Sequence, residues 1–374
     1  MNSPVWFSIR RTVPALVAKL FPNWLPILAG CSLSIVAGAG CSSVGPGTVR
    51  RDRLDYACAL SDSWKEQLLL NIVKTRYGDS PSFLEVISVV SGYTVEMGLG
   101  AAGQYSPASL RGDSFVGGAV SGKYTDRPTI SYAPMAGEKF ARGLMSPVPL
   151  DAVWSAIIGG VPADFLLGLT LQSMGAHRNL GLYAGGVQSM EPGFVRTLKL
   201  LRGLQEADAF DSEIIQRDNG RDIRMRFPSL HSSAKGVPEQ VAELKTLLDI
   251  PAETNDVALA DARTVESGSV PIRTRSLMQI LSTLGAGVQI PPEQADTSGV
   301  VQVHANELPI GFRVYSGKDK PKQPFLAVPY DGHWYWIERQ DLSSKKTLTA
   351  LTLLLNFLEG GAGKSGPILT IPTN

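Results

Sequence analysis

The sequence predicts an α+β protein, mixed helices with antiparallel hairpins, built as two units behind a signal peptide and a short tether. Three observations point there. Several stretches alternate apolar and polar residues between Gly, Pro or Asn-Gly turn signals, the period of a half-buried strand. Others repeat apolar residues every three or four positions, the period of a helix face. The chain of 374 residues is long enough for two domains of roughly 100–200 residues each, and no fixed-period repeat runs through it.

Composition narrows the function classes. Lys+Arg 35 against Asp+Glu 34 leaves a net charge of +1, with no basic excess to hold a phosphate backbone, so no nucleic-acid partner is expected. Charged residues make up only 18% while Gly numbers 38 and Pro 25, which favours turns and strands of small residues over a heavily solvated surface. The cysteines are Cys31, Cys41 and Cys58; with the first two in a leader, Cys58 has no intramolecular disulfide partner.

The first element is an export leader over residues 1–40. No acidic residue occurs from Met1 to Arg51, whereas Arg10, Arg11 and Lys19 precede or interrupt an apolar region that ends in small residues. Pro22, Asn23 and Pro26 make the uncharged segment from Phe21 to Gly40 a poor bilayer helix. Within it, L-A-G-C at Leu28–Cys31 resembles the lipobox of bacterial lipoproteins, and A-G-C at Ala39–Cys41 resembles a degenerate one with Gly38 in the aliphatic position. The resemblance implies that one cysteine thiol receives a diacylglycerol, that the leader is removed, and that the new amino terminus is acylated. Cys41 is the preferred site and Cys31 the alternative. Cleavage at Cys41 gives the better-sized apolar region before it and a small-residue tether, 41–55, behind it. Several acyl chains at ~0.8 kcal/mol per buried CH₂ make either anchor effectively permanent. Ser follows both cysteines, and in a Gram-negative cell that implies outer-membrane sorting with the chain facing the periplasm.

The first folded unit, 56–185, begins with an amphipathic helix at 56–77 on which Leu60, Trp64, Leu68 and Ile72 share a face. Ser63 and Glu66 resemble a capping box near its start, and Gly78–Pro81 ends it. Trp64 is expected in the core and Cys58 as a small buried hydrophobe. Residues 88–106 then alternate, with Tyr93, Val95, Met97, Leu99, Ala101 and Tyr105 on one face. In the segment from Phe115, Val116, Gly118, Val120, Gly122 and Tyr124 share a face before Arg127-Pro128 interrupts. Together they predict an extended hairpin. Its strand length, alternation and aromatic residues Tyr93, Tyr105, Phe115 and Tyr124 suit a transmembrane barrel strand pair as well as a half-buried soluble sheet. Helical patterns follow at LDAVWSAIIGG and PADFLLGLTLQSMG, and Gly-rich 181–193 marks the expected domain boundary.

The second unit, 192–374, opens with the helical FVRTLKLLRGLQEADAF and a hairpin around Asn219-Gly220. Helices are expected at VPEQVAELKTLL and TRSLMQILSTLG, a hairpin at FLAVPYDGHWYWIE turning at Asp331-Gly332, and a closing helix capped by Asp341 or Ser343. In the last hairpin, strand alternation puts Trp334 and Trp336 on one face and His333, Tyr335 and Ile337 on the other. Tyr330, His333, Trp334 and Trp336 are therefore the partner-binding candidates, a platform for a glycan or peptide, unless both faces are covered by the rest of the fold.

Catalytic motifs are sparse. GGAGKS at 360–365 lacks the earlier glycine of a phosphate-binding loop, because residue 358 is Leu358, and neither G-x-S-x-G nor H-E-x-x-H occurs. His177, His231, His304 and His333 lack ligand spacing, so no catalytic residue, metal or cofactor is assigned. The stretches GCSSVGPGT, RRDRLDY, DSWKEQLLLNIVKTRYGDSP and YWIERQDLSSK resemble an uncharacterised proteobacterial outer-membrane lipoprotein family. The resemblance implies location more than activity. The expected function is a non-enzymatic, lipid-anchored outer-membrane lipoprotein in envelope assembly or in a secretion or transport complex, with envelope proteins or peptidoglycan as partners. The alternatives are an oligomeric outer-membrane pore using the 88–132 hairpin, and an envelope hydrolase whose site is assembled from distant residues.

Overall fold

The computed structural model describes residues 44–90, 92–104, 115–183, 186–209, 211–217, 220–227, 236–263, 267–294, 311–359 and 368–370. Cys31, Cys41, Tyr105, His231, His304 and the GGAGKS stretch lie outside them. The fold is α+β. Two compact units interleave along the chain: one comprises Met1–Cys58, Glu85–Ala133 and Ser365–Asn374, the other Ala59–Leu84 and Pro134–Lys364. The Gly-rich stretch expected to divide the chain lies inside the second of these, where it forms the short pair β7 (Gly181–Tyr183) and β8 (Gly186–Gln188).

Helix α1 (Val44–Arg76) starts a dozen residues earlier than its apolar spacing predicts. Residues 44–55, expected as a tether, are helical because Pro46 falls in the first turn, where a missing N–H is not needed. Ser63 is consequently mid-helix instead of a cap, and Cys58 is exposed, contrary to expectation, with its neighbours Ala57 and Ala59 exposed as well. The helix stops as predicted, with Gly78 at φ 74.

Strands β1 (Phe83–Val90), β2 (Tyr93–Gln104), β3 (Phe115–Asp126) and β4 (Thr129–Met135) divide between two sheets, β1 with β4 and β2 with β3. The break between them falls where Arg127-Pro128 faces Gly92, and the Arg127 N–H donates to the Gly92 carbonyl at 2.9 Å across it. Near the termini β1 is flanked by β4 and by the parallel strand β16 (Ile368–Thr370). Beyond the break, β2 and β3 pair only with each other.

The second unit surrounds a core that includes Trp154, Phe194, Phe312 and Tyr335, all fully buried. Trp64 is only half-buried, packing against this core with its ring 5.8 Å from Phe83. Helices α2 (Glu138–Met145), α3 (Leu150–Ile158), α4 (Ala163–Thr170), α5 (Pro192–Glu206), α6 (Val237–Leu247), α7 (Leu277–Gly285) and α8 (Leu342–Glu359) accompany a six-stranded sheet. Its order is β6-β5-β12-β11-β10-β9, from β5 (Leu171–Met174), β6 (His177–Arg178), β9 (Asp211–Arg217), β10 (Gly220–Arg226), β11 (Asp256–Asp261) and β12 (Ser269–Thr274). The predicted β9–β10 hairpin is present, with Gly220 opposite Arg217. No helix among the described residues is long and apolar enough to cross a membrane.

One departure from the sequence pattern organises this sheet. LQSM continues the helical run of PADFLLGLT by composition, yet α4 ends at Thr170 and LQSM becomes β5. The last carbonyls of α4 are taken up from outside: the buried Arg275 guanidinium donates to the carbonyls of Gly168 and Leu169, both at 3.1 Å, and to that of Leu180. Asn179 donates to Gly168 at 2.8 Å and to Leu171 at 2.7 Å. A cation at a helix C-terminus also meets the negative end of the dipole. Replacing Arg275 by Met is expected to leave several buried carbonyls unsatisfied and lower unfolding stability by about 3 kcal/mol, measured by urea denaturation. Arg275→Lys should recover less than half of that loss, because an ammonium cannot reproduce the planar fork.

Candidate functional site

The partner-binding candidates fall on a small antiparallel sheet of the second unit, ordered β13-β15-β14. Its strands are β13 (Tyr315–Gly317), β14 (Leu326–Tyr330) and β15 (His333–Ile337). The β14–β15 turn is the one the sequence predicts: Asp331 and Gly332 both have positive φ, 45 and 73, as a two-residue hairpin loop of this hand requires. With Tyr330 opposite His333, register is fixed along both strands.

Alternation then separates two faces. Tyr335 and Ile337 are fully buried, whereas Trp334 and Trp336 are half-buried on the opposite side. On that outer side Trp336 lies opposite Tyr315, with ring centroids 6.1 Å apart and planes 26° apart. A Cβ at Gly317 would sit 3.3 Å from the Trp336 ring, so glycine there lets the indole lie across β13. The Trp336 Nε1–H donates to Glu338 Oε1 at 3.0 Å, and Lys320 Nζ stands 4.9 Å from the centre of the Trp334 ring. Of the two expectations for this hairpin, one face is covered and the other keeps its aromatic rings partly open.

The inner face is a polar brace. Tyr77 Oη donates to Gln294 Oε1 at 2.7 Å; having one hydrogen, it accepts from Tyr335 Oη, also at 2.7 Å. Tyr330 packs 5.5 Å from Tyr77 and 6.4 Å from Tyr335, with its hydroxyl directed to Asp79 Oδ2 at 3.4 Å. Burial drives the Tyr335 phenol far above its ordinary range, and its donation to Tyr77 adds to the shift. Burial likewise raises Tyr77 and Tyr330.

His333 stands at the end of this brace. Its Nδ1 is 3.1 Å from the Asp331 carbonyl and 3.5 Å from Gln294 Nε2, while its buried Nε2 has no hydrogen-bond partner and lies 4.0 Å from Glu293 Oε2. Glu293 is held by Lys318 at 2.9 Å, which keeps its carboxyl below the usual range. Among the described residues the hydrogen bonds of His333 go to the Asp331 carbonyl and to Gln294, and none involves a hydroxyl.

Elsewhere in the second unit an open cleft of about 550 Å³ lies where α7 begins, lined in part by Asp261, Arg263, Arg273 and Gln279. Arg263 grips Asp261 there at 3.0 and 2.6 Å and holds its carboxyl low. No group of three His, Cys, Asp or Glu among the described residues is placed to hold a metal ion. Of the other named residues, Tyr93, Phe115 and Tyr124 lie on β2 and β3 of the first unit. Tyr77, Gln294, Tyr315 and Lys320 had no signal in the sequence tying them to this hairpin. No known protein family, curated protein or solved structure matches this chain.

The brace predicts an alkaline sensitivity. Below pH ~10 the Tyr335 phenol is protonated whether the chain is folded or not; above it the unfolded phenol ionises and the buried one does not. Stability contributed by this group is therefore complete below pH ~10 and falls as pH rises further. Tyr335→Phe should cost about 1 kcal/mol at neutral pH and make the decline above pH ~10 shallower, both read from denaturant melts across a pH series.

Proposed function

We propose that this protein is a non-enzymatic lipoprotein of the bacterial outer membrane, anchored through a diacylglycerol on Cys41 and facing the periplasm, that serves envelope assembly or transport by holding a partner on its small aromatic sheet. The observation carrying the partner site is the outer face formed by Tyr315, Trp336 and Trp334, with one ring fixed over Gly317 and tied to Glu338. A ring fixed before binding loses little freedom when a partner arrives. The brace beneath serves the same end, since Tyr335 locks the strand that carries both indoles.

The chemistry of the face favours a glycan, such as the sugar strand of peptidoglycan, over a proline-rich peptide. Recognition of an extended peptide by indoles uses the ring N–H as a donor, and the Trp336 N–H is already committed to Glu338. What the Trp336 ring keeps for a partner is its flat outer face, which stacks on sugar rings, with a carboxylate beside it that accepts hydroxyl hydrogens. Full-length protein in detergent should co-sediment with purified peptidoglycan sacculi. Trp336→Ala should weaken that binding by roughly tenfold or more, as for a central aromatic anchor, in a chain that circular dichroism shows still folded. Trp334→Ala should do less, because Lys320 already occupies a face of that ring. Failure of the unaltered protein to co-sediment would remove the glycan reading.

A further inference from the structure

Strands β2 and β3 make twelve consecutive residue pairs, from Tyr93 opposite Asp126 to Gln104 opposite Phe115, and among the described residues no third strand flanks either one. An isolated two-stranded ribbon is marginal in water, and its two outer edges carry rows of backbone donors and acceptors that call for partners. The register is not neutral. It sets Val95 opposite Tyr124, Met97 opposite Gly122, Leu99 opposite Val120 and Ala101 opposite Gly118, so the apolar positions of both strands coincide on one face. The other face carries Thr94 opposite Thr125, Glu96 opposite Lys123 and Gly98 opposite Ser121. Glu96 and Lys123 are both exposed and 3.8 Å apart. At Gly122, on the apolar face, an added Cβ would meet nothing within 4 Å.

From this we infer that β2 and β3 are the building unit of a closed β-barrel made by several copies of this chain, the β3 edge of one copy pairing with the β2 edge of the next. A second copy is the occupant because each ribbon offers both halves of the joint. Lys123 lies on one edge strand and Glu96 on the other, so head-to-tail pairing sets opposite charges on the two facing edges of every joint, whereas β2-to-β2 pairing sets Glu96 on both. A heterologous contact whose rotation closes makes a ring, and a ring leaves no edge. Twelve residues exceed the 9–11 a tilted strand needs to span a bilayer, and closure satisfies every backbone group, the condition for entering lipid. The apolar face then meets lipid, and Glu96, Lys123 and Thr125 line a polar lumen. The membrane setting rests on the envelope reading above; the edge pairing does not.

Cysteine cross-linking of the full-length protein separates these parts. In a Cys58→Ser background, copies carrying Lys123→Cys under one tag are co-expressed with copies carrying Thr94→Cys, Glu96→Cys or Gly98→Cys under another. One of the three pairings, the one that matches the stagger of the ring, should give a disulfide product bearing both tags, and Glu96→Cys alone should give none. A monomer without mixed product, or a Glu96→Cys homodimer, overturns the head-to-tail assembly whatever the location of the protein. Gly122→Asp, which has room in the isolated ribbon, should lower both the membrane-embedded oligomer and its conductance in planar bilayers roughly tenfold. Mixed-tag product together with an unaffected Gly122→Asp variant would overturn the lipid-facing assignment and leave the ring.

Discussion

The buried guanidinium of Arg275 is the constraint on which the second unit turns. It lies between β12 and α7, and it donates to the loose carbonyl end of α4 and to the Leu180 carbonyl, so one side chain fixes two segments that lie about a hundred residues earlier in the chain. With those carbonyls satisfied, LQSM leaves the helix and pairs with β12 as β5, which carries β6 on its other edge. Asn179 performs the complementary task, donating to the Gly168 carbonyl that Arg275 also reaches and to the Leu171 carbonyl, and accepting from the Leu180 N–H at 2.7 Å.

The same economy recurs throughout that unit. Gln205 ties α5 to the start of α4, accepting from the Ala163 N–H at 2.9 Å and donating to the Val161 carbonyl at 3.0 Å. Lys245, buried at 5% exposure, donates to the Ala252 carbonyl and to Asn255, with its charge 5.4 Å from the Phe227 ring. The Tyr77–Tyr335 hydroxyl pair belongs to the same class of contact: a buried polar group is tolerated because it is satisfied, and it then fixes a single arrangement. The β2–β3 ribbon of the first unit is the counter-example. Among the described residues its inner backbone groups are paired strand to strand and its outer edges are not.

What could be read from the chain alone follows the range of the cause. The Asp331-Gly332 turn and the break at Arg127-Pro128 were legible, because each depends on backbone preferences of two adjacent residues. Asp341 was legible as a cap for α8, and its carboxylate does accept from the Ser344 N–H at 3.0 Å. The early start of α1 was hidden because GPGT has the composition of a tether, although proline in a first turn is compatible with helix. The end of α4 was hidden for a different reason: its cause, Arg275, is remote in sequence. The site divides in the same way. Alternation placed Trp334 and Trp336 on one face, whereas Tyr77 and Gln294 are 217 residues apart and Tyr315 sits on a strand of three residues too short to show a pattern.

Anchoring at the membrane is the claim from which the partner site and the lipid-facing ribbon take their setting, and intact mass spectrometry of the mature protein extracted from membranes tests it most directly. The account predicts a chain that begins at Cys41 and carries the added mass of a diacylglycerol and an amide-linked acyl group. A start at Cys31 with the same additions would move the anchor within the leader. An unlipidated chain that begins at Met1 would contradict the account.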